Sequence, residues 1–227
     1  MQITWYGHSC FKISHDGYSV VIDPYDLKNA RYPELHVEAD AVICSHEHRG
    51  HNNRDAVKLS GTSRPCPYKL TPIESYHDTL YGKFRGGNTV HIIEWDGYKI
   101  VHMGDFNTFA NEDDKFKLMD ADVLMINAGS LRSLPSDQTK PLADELRARI
   151  IIPMHYMHDG IGNMRIGKLE EFTDQYPDQR FIHFYDTNTI EIDHDMPDQV
   201  AVLKYIQQKP QNGRKQMWIA GKFTKFK

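Results

Sequence analysis

The chain has 227 residues, 40% of them hydrophobic, and a formal net charge of −4. This length and composition predict a globular protein with one substantial core. Acidic and basic residues are interspersed, which argues against a nucleic-acid-binding surface. No 18 apolar residues run together and the N-terminus does not resemble a signal peptide, so we expect neither a membrane span nor a secreted protein.

The first 23 residues alternate in polarity around the turn-forming pair Asp16-Gly17, which predicts a β-hairpin. Apolar runs rich in β-branched residues then recur at 39–45, 88–95, 98–105, 121–128 and 148–156. Several are too continuous for strands with one wet face, so we predict central strands that are buried on both faces.

Short amphipathic segments predict helices at 52–60, 111–120, 136–148 and 167–177, with Pro141 either in the first turn of the third helix or breaking it. Strands dominate the first half and alternate with helices in the second, which predicts an α/β sandwich with helices outside two sheets. We expect one domain over 1–208, followed by a basic extension over 209–227 that is a terminal strand or a solvated tail.

The three cysteines, Cys10, Cys44 and Cys66, are odd in number and lack paired spacing. This argues against a disulfide framework and favours a reducing compartment. We therefore predict a cytoplasmic protein in which each cysteine is a small core residue.

Three of the apolar runs end in residues of the metal-ligand type. The first leads into His46 and His48, the second into His102 and Asp105, and the third into His155. Because the carboxyl ends of neighbouring strands open onto a common edge of a sheet, we expect these side chains to converge.

The stretch His46-Glu47-His48-Arg49-Gly50-His51 is the strongest metal signal in the sequence. Histidines two apart on an extended segment point the same way and can bind one ion. His51 can swing to a second position, His77 follows another strand, and the Asp105 carboxylate can bridge two ions. The alternative is a histidine-rich polar loop. We expect the other histidines to be surface or hydrogen-bonded core residues, namely His15, His36, His91, His183 and His194.

In this order, the motifs WYGHSCF, VVIDPY, SHEHRGH, YHD, HMGD and IIPMHY resemble those of the metallo-β-lactamase fold superfamily. The similarity spans about residues 1–205. It is greatest to small bacterial metal-dependent hydrolases related to the ascorbate-6-phosphate lactonases and N-acyl-phosphatidylethanolamine phospholipase D. The resemblance implies a four-layer αββα sandwich with a metal site at one edge. By position it assigns His46, His48 and His77 to a first metal, Asp105 to a bridge, His51 and His155 to a second metal, and a structural role near the site to Asp23.

The chain departs from the family pattern H-x-H-x-D-H at one position, where Gly50 replaces the aspartate. A unit charge about 4 Å from another is worth roughly 4 kcal/mol at an effective dielectric constant near 20, and a divalent ion feels about twice that. The second site should therefore be weaker. Three outcomes stay open: a one-metal centre, a second ion held by another ligand, or an empty site. His8 is the candidate replacement ligand; otherwise it is a hydrogen-bonded residue.

The predicted reaction is hydrolysis of an ester, lactone, amide or phosphodiester bond by a metal-bound hydroxide. Asp105 would orient the water, and His8 or His158 would protonate the leaving group. Asp78 would orient the His77 imidazole, while Arg85 and Asn88 would contact substrate, although Arg85 could instead anchor its loop.

We expect one or two Zn²⁺ ions, although such a ligand set also accepts Mn²⁺, Fe²⁺ or Ni²⁺. The predicted partner is a small-molecule substrate, and we expect binding to neither nucleic acid nor a membrane. Apolar residues near the C-terminus leave a homo-oligomer open. The alternative function is a non-catalytic metallo-β-lactamase-like binding protein with a degraded metal site.

Overall fold

The computed structural model describes residues 1–128, 133–158, 160–162 and 166–208. The predicted C-terminal extension, with its apolar residues, lies outside this range. In the described part of the chain, no helix is both long and apolar enough to cross a membrane.

The predicted N-terminal hairpin is confirmed and continues as a three-stranded meander. Strands β1 (Gln2–Gly7), β2 (Cys10–His15) and β3 (Tyr18–Ile22) pair antiparallel. Asp16 and Gly17 both take positive φ angles, 47° and 71°. A two-residue turn of that kind matches the right-handed twist of the flanking strands.

Two mixed sheets face each other. The first has the strand order β14-β1-β2-β3-β5, with β5 at Ala41–Ile43 and β14 at Thr189–Glu191. The second has the order β10-β7-β8-β9-β11-β12-β15-β13. Its strands are β7 (Lys69–Tyr76), β8 (Gly87–Trp95), β9 (Tyr98–His102), β10 (Thr108–Phe109), β11 (Val123–Asn127), β12 (Ile150–Met154), β13 (Ile182–Phe184) and β15 (Gln199–Val202).

The apolar run of β3 shows why its sequence does not alternate. Val20 and Ile22 belong to the main core between the sheets, whereas Val21 belongs to a second apolar cluster that includes Tyr32 and Val57. The strand is therefore buried on both faces, as its continuous apolar run predicts.

The described helices are α1 (Leu27–Ala30), α2 (Lys115–Leu118), α3 (Ser136–Leu146) and α4 (Glu170–Thr173). Ala30 of α1 lies in the second apolar cluster, and α3 packs against β11 and α4. Helical layers thus cover the sheets, and the predicted αββα sandwich is confirmed.

Two local predictions were wrong. The segment 52–60 forms a 3₁₀ turn at Arg54–Ala56 and then β6 (Val57–Leu59), which pairs parallel with β4 (Val37–Ala39). Pro141 lies inside α3 beyond its first turn without breaking it. Burial of Thr139, Ala143 and Leu146 holds that helix together, which outweighs the loss of one backbone hydrogen bond.

The cysteine prediction is correct only in part. All three cysteines are free, but only Cys10 is buried; Cys44 is half-buried and Cys66 is exposed. Cys66 lies in the irregular segment before β7, where no sheet covers it.

Strand direction decides where the functional residues meet. Strands β1, β3 and β5 run the same way, because β1–β2 and β2–β3 are antiparallel and β3–β5 is parallel. By the same reasoning β7, β9 and β12 run the same way in the second sheet. Their carboxyl ends therefore lie along one edge of each sheet.

Candidate metal centre

Residues that follow six parallel strand ends converge at this edge. In chain order they are His8 after β1, Asp23 after β3, His46 after β5, His77 after β7, Asp105 after β9 and His155 after β12. His48 and His51, from the loop after β5, join them. The structure thus brings together every residue that the sequence assigned to a metal.

Asp105 is buried at the centre of the histidines. Its Oδ2 lies 2.8 Å from Nε2 of His77, 3.3 Å from Nε2 of His51 and 3.8 Å from Nε2 of His46. Its Oδ1 lies 3.3 Å from Nε2 of His155. The carboxylate therefore faces imidazoles with both oxygens.

The histidines fall into two groups of three, and within each group the ligand-type atoms lie within 4.8 Å of one another. One group is His46, His48 and His77; the other is His8, His51 and His155. Nε2 of His46 is buried without a hydrogen-bond partner in the described structure, although its Nδ1 lies 2.9 Å from Ser45 Oγ. An unpartnered buried nitrogen among other donors fits a metal ion, which would remove the cost of leaving it unsatisfied.

Asp23 fixes the orientation of His51. The fully buried carboxylate lies 2.9 Å from His51 Nδ1 and accepts hydrogen bonds from the Ser45 backbone N–H and hydroxyl, both at 2.6 Å. Nε2 of His51 consequently points at Asp105. A carboxylate behind a ligand imidazole fixes its tautomer and increases its basicity.

Asn88 was predicted to contact substrate, but its hydrogen bonds indicate a different role. Its side chain is buried, donates to Ser75 Oγ at 2.8 Å and to the Met103 carbonyl at 2.9 Å, and accepts from the Asp105 N–H at 2.9 Å. These bonds tie β8 to the start of the loop that carries Asp105. Asn88 therefore positions Asp105 and is too enclosed to meet a substrate.

Asp78 does not orient His77 as predicted. Its carboxylate instead accepts four backbone N–H groups of its own loop, from Leu80, Gly82, Phe84 and Arg85. These bonds shape the loop that carries Phe84 and Arg85 to the rim of the metal centre. The turn-forming glycines were the only signal for this loop in the sequence.

The centre opens into a cavity of about 510 Å³. Beyond the histidines and Asp105, its lining comprises Asn29, Arg49, Gly50, Phe84, Arg85 and Ile166. His158 lies outside this cavity, with its ring 5.8 Å from that of Tyr205.

Three site residues have strained backbones. His8, Asp23 and His155 take φ angles of 52°, 50° and 54°, a region that costs non-glycine residues on the order of 1 kcal/mol or more. The His8 carbonyl accepts hydrogen bonds from Trp5 Nε1 at 3.0 Å and from the His155 N–H at 3.2 Å. These bonds tie the end of β1 to the end of β12 across the two sheets.

The buried charges act mainly on His51. Burial disfavours its protonated form, but Asp105 and Asp23 outweigh this and raise the pKa of His51 to about 10. Burial and the charge on His51 lower the pKa of His46 to about 3. Burial lowers the pKa of His155 to about 4 despite the nearby Asp105. Without metal at neutral pH, a protonated His51 therefore lies between two carboxylates, beside neutral His46 and His155.

We expect the metal-free protein to lose stability as the pH rises through about 10. The pKa of His51 is higher in the folded state than in the unfolded state, where it is about 6.5. The stability that His51 contributes is therefore fully present below about pH 6.5 and is lost as the pH rises through the folded-state pKa. Urea unfolding of chelator-treated protein from pH 6 to pH 10.5 measures this effect. A His51→Gln variant serves as the control; if its stability falls as steeply as that of the wild type, His51 is not the responsible group.

Comparison with known proteins shows which family the chain belongs to. The family model described as "Beta-lactamase superfamily domain" matches residues 2–155. A UPF0173 protein of Pyrococcus abyssi is 28% identical over 188 residues, covering 72% of this chain and 87% of its own. A UPF0173 metal-dependent hydrolase of Nitratidesulfovibrio vulgaris is 25% identical over 195 residues, 68% and 80% of the two chains.

Among solved structures, a proposed Zn-dependent hydrolase of the metallo-β-lactamase superfamily from Thermotoga maritima superposes with a TM-score of 0.68 at 28% identity. The match covers 89% of this chain and 97% of that one. The resemblance that the sequence motifs indicated is confirmed. The chain belongs to the metallo-β-lactamase superfamily and is a metal-dependent hydrolase, like the UPF0173 proteins that it matches.

Proposed function

We propose that the chain hydrolyses a small molecule at a centre of two divalent metal ions. His46, His48 and His77 would hold the first ion, His51 and His155 the second, and Asp105 would lie between them. The observation that carries this proposal is the position of Asp105, whose two oxygens face different imidazoles at 2.8–3.8 Å. The sequence predicted a weakened second site because of Gly50, and the geometry supports two ions rather than one.

Zinc is the ion that we propose, because imidazole-rich sets with one carboxylate suit it well. Ions in this position polarise a carbonyl or phosphoryl oxygen and lower the pKa of water. Asp105 would orient the attacking water. Asn88 and Asp23 would keep Asp105 and His51 in place through the hydrogen bonds described above.

Neither histidine suggested as a general acid is well suited to that role. Burial, together with His155 and His51, holds the pKa of His8 well below its usual range, whereas an acid that works at neutral pH needs a pKa near 7. His158 lies outside the cavity. The leaving group would therefore take its proton from water, because the surrounding histidines also hold the pKa of Asp105 well below its usual range.

The cavity lining supports a substrate with an apolar part and an anionic or strongly polar group. Phe84 is 73% exposed and offers an aromatic face at the rim. Arg49 and Arg85 line the same cavity, and guanidinium groups recognise carboxylate or phosphate in pairs of hydrogen bonds. The bonds we propose to be cleaved are ester, lactone, amide or phosphodiester bonds in molecules small enough for about 510 Å³.

A substrate screen after metal exchange tests this proposal. Chelator-treated protein would be reloaded with Zn²⁺, Mn²⁺, Fe²⁺ or Ni²⁺ and incubated with panels of small esters, lactones, amides and phosphodiesters. We expect turnover of at least one class, its loss on chelation and its return with metal. Turnover that survives complete metal removal would contradict the proposal, as would protein that binds no metal. Incubation with single-stranded RNA and DNA tests whether the chain is instead a nuclease.

A further inference from the structure

We propose that His8 replaces the missing carboxylate of position 50 and completes a three-histidine site for the second metal with His51 and His155. The inference rests on the proposed two-metal function and specifies its second site. The loop after β5 lacks that ligand in this chain. His8, at the end of β1 in the same sheet, would supply it.

Residue 50 lies directly beside the His8 imidazole. A Cβ atom built on Gly50 would lie 3.7 Å from both Cε1 and Nε2 of His8. That distance is ordinary van der Waals contact, so a side chain at position 50 would lie directly beside the His8 imidazole. Glycine leaves that side of the His8 ring open to the cavity, which both residues line.

The His8 ring lies close to the rings of His51 and His155. It is 5% exposed, and its centroid lies 4.7 Å from that of His51 and 4.4 Å from that of His155, with both pairs edge to face. Ligand-type nitrogens of the three rings lie within 4.8 Å of one another. Three imidazoles thus surround one small volume next to Asp105.

Two of these imidazoles have a buried nitrogen without a hydrogen-bond partner among the described residues. Nδ1 of His8 and Nδ1 of His155 are buried without a partner in the described structure. Buried unsatisfied nitrogens cost about 1–3 kcal/mol each, and His8 also has the strained φ of 52°. Coordination of an ion through Nδ1 of His8 would remove the cost of leaving that nitrogen unsatisfied, and backbone strain of this kind concentrates at functional sites.

The exchange has a consequence for metal choice. Three neutral imidazoles replace two imidazoles and a carboxylate, so the second site has one negative charge fewer than the family pattern provides. Imidazole suits Zn²⁺, Ni²⁺ and Fe²⁺, whereas Mn²⁺ prefers carboxylate and other oxygen ligands. We therefore expect the second site of this chain to bind Zn²⁺ and to discriminate against Mn²⁺.

A ligand-swap experiment tests the inference without relying on activity. Four proteins are compared: the wild type, His8→Ala, the double variant His8→Ala with Gly50→Asp, and His158→Ala as a control for loss of a nearby histidine outside the cavity. Elemental analysis after dialysis counts zinc ions per chain, calorimetric titration measures their affinities, and circular dichroism verifies folding.

We expect two zinc ions in the wild type and in His158→Ala, one in His8→Ala, and two again in the double variant. The second affinity should fall more than roughly 100-fold in His8→Ala, beyond the 10–100-fold effect of losing an outer-shell partner. The double variant should also accept Mn²⁺ at its second site.

The two proposals fail in different ways. A wild-type protein that binds no metal would overturn the proposed function itself. A wild-type protein that binds one ion would overturn the proposed two-metal centre and, with it, the role of His8. A folded His8→Ala variant that keeps two ions at unchanged affinity would overturn only the role of His8. A double variant that still binds one ion would overturn the claim that His8 and residue 50 can each supply a ligand to the second site.

Discussion

Replacing Asp105 with asparagine is expected to abolish measurable hydrolysis and to release at least one metal ion. The substitution preserves shape but removes the negative charge that lies 2.8–3.8 Å from the Nε2 atoms of His46, His51, His77 and His155. Removing one partner of a buried charged pair costs about 3–5 kcal/mol, which corresponds to roughly 10²- to 10⁴-fold in an equilibrium or rate constant. The effect should therefore appear in both metal affinity and kcat/KM.

Zinc titration and kcat/KM of Asp105→Asn measure this effect. Asp120→Asn is the matched control, because Asp120 is exposed and pairs with Arg147 through hydrogen bonds of 2.8 and 2.9 Å. Ion pairs that are exposed to solvent contribute little to stability, and loss of this one should leave metal binding unchanged. An Asp105→Asn protein within tenfold of the wild type in both quantities would remove Asp105 from the centre of the mechanism.

The second large effect is expected at Gly104, directly before Asp105. Its φ is +59°, and an added Cβ would collide with Asn88 Oδ1 and would lie 2.5 Å from Ser45 Cβ and 2.8 Å from Ser45 Oγ. Asn88 holds the Asp105 N–H and Ser45 holds Asp23. A methyl group there would therefore push apart the ends of β5 and β9, which deliver the two sides of the site.

We expect Gly104→Ala to destabilise the protein by about 2–4 kcal/mol, the sum of overpacking and a left-handed alanine. Metal affinity should fall with it. Urea unfolding and zinc titration measure the two effects. In the control Gly97→Ala, φ is +81° but no atom lies within 4 Å of the added Cβ, so only about 1 kcal/mol of strain is expected. Equal losses in both variants would show that conformation, rather than the contacts of Gly104, is responsible.

The strands of the core were the part of the fold most accessible from sequence. Runs such as Val123–Asn127 and Ile150–Met154 are buried at every position, and their uninterrupted apolar character reflects burial on both faces. Their direction and order were not readable, because these depend on pairing between segments far apart in the chain.

Local propensity failed where tertiary pairing decided the structure. Residues 52–60 have the amphipathic spacing of a helix, yet Val57–Leu59 pairs with Val37–Ala39, a partner about 20 residues earlier. A three-residue segment with one buried side chain is too short for its pattern to distinguish a helix from a strand.

For the site, residue chemistry predicted the members but not their supports. His46, His48, His51, His77, Asp105 and His155 were recognisable from ligand type at strand ends, and they converge. The histidines expected to be ordinary include His91, which is buried and lies 3.0 Å from the Cys44 carbonyl. The roles of Asn88 and Asp78 depend on hydrogen bonds to backbone groups, which leave no mark on sequence spacing. The closeness of His8 to Gly50 required the register of both sheets.

Anomalous scattering from zinc-grown crystals tests the central claim most directly. We predict two zinc peaks on either side of Asp105, one contacted by His46, His48 and His77 and the other by His8, His51 and His155. Peaks elsewhere on the chain, or no peak within bonding distance of Asp105, would contradict the two-metal account.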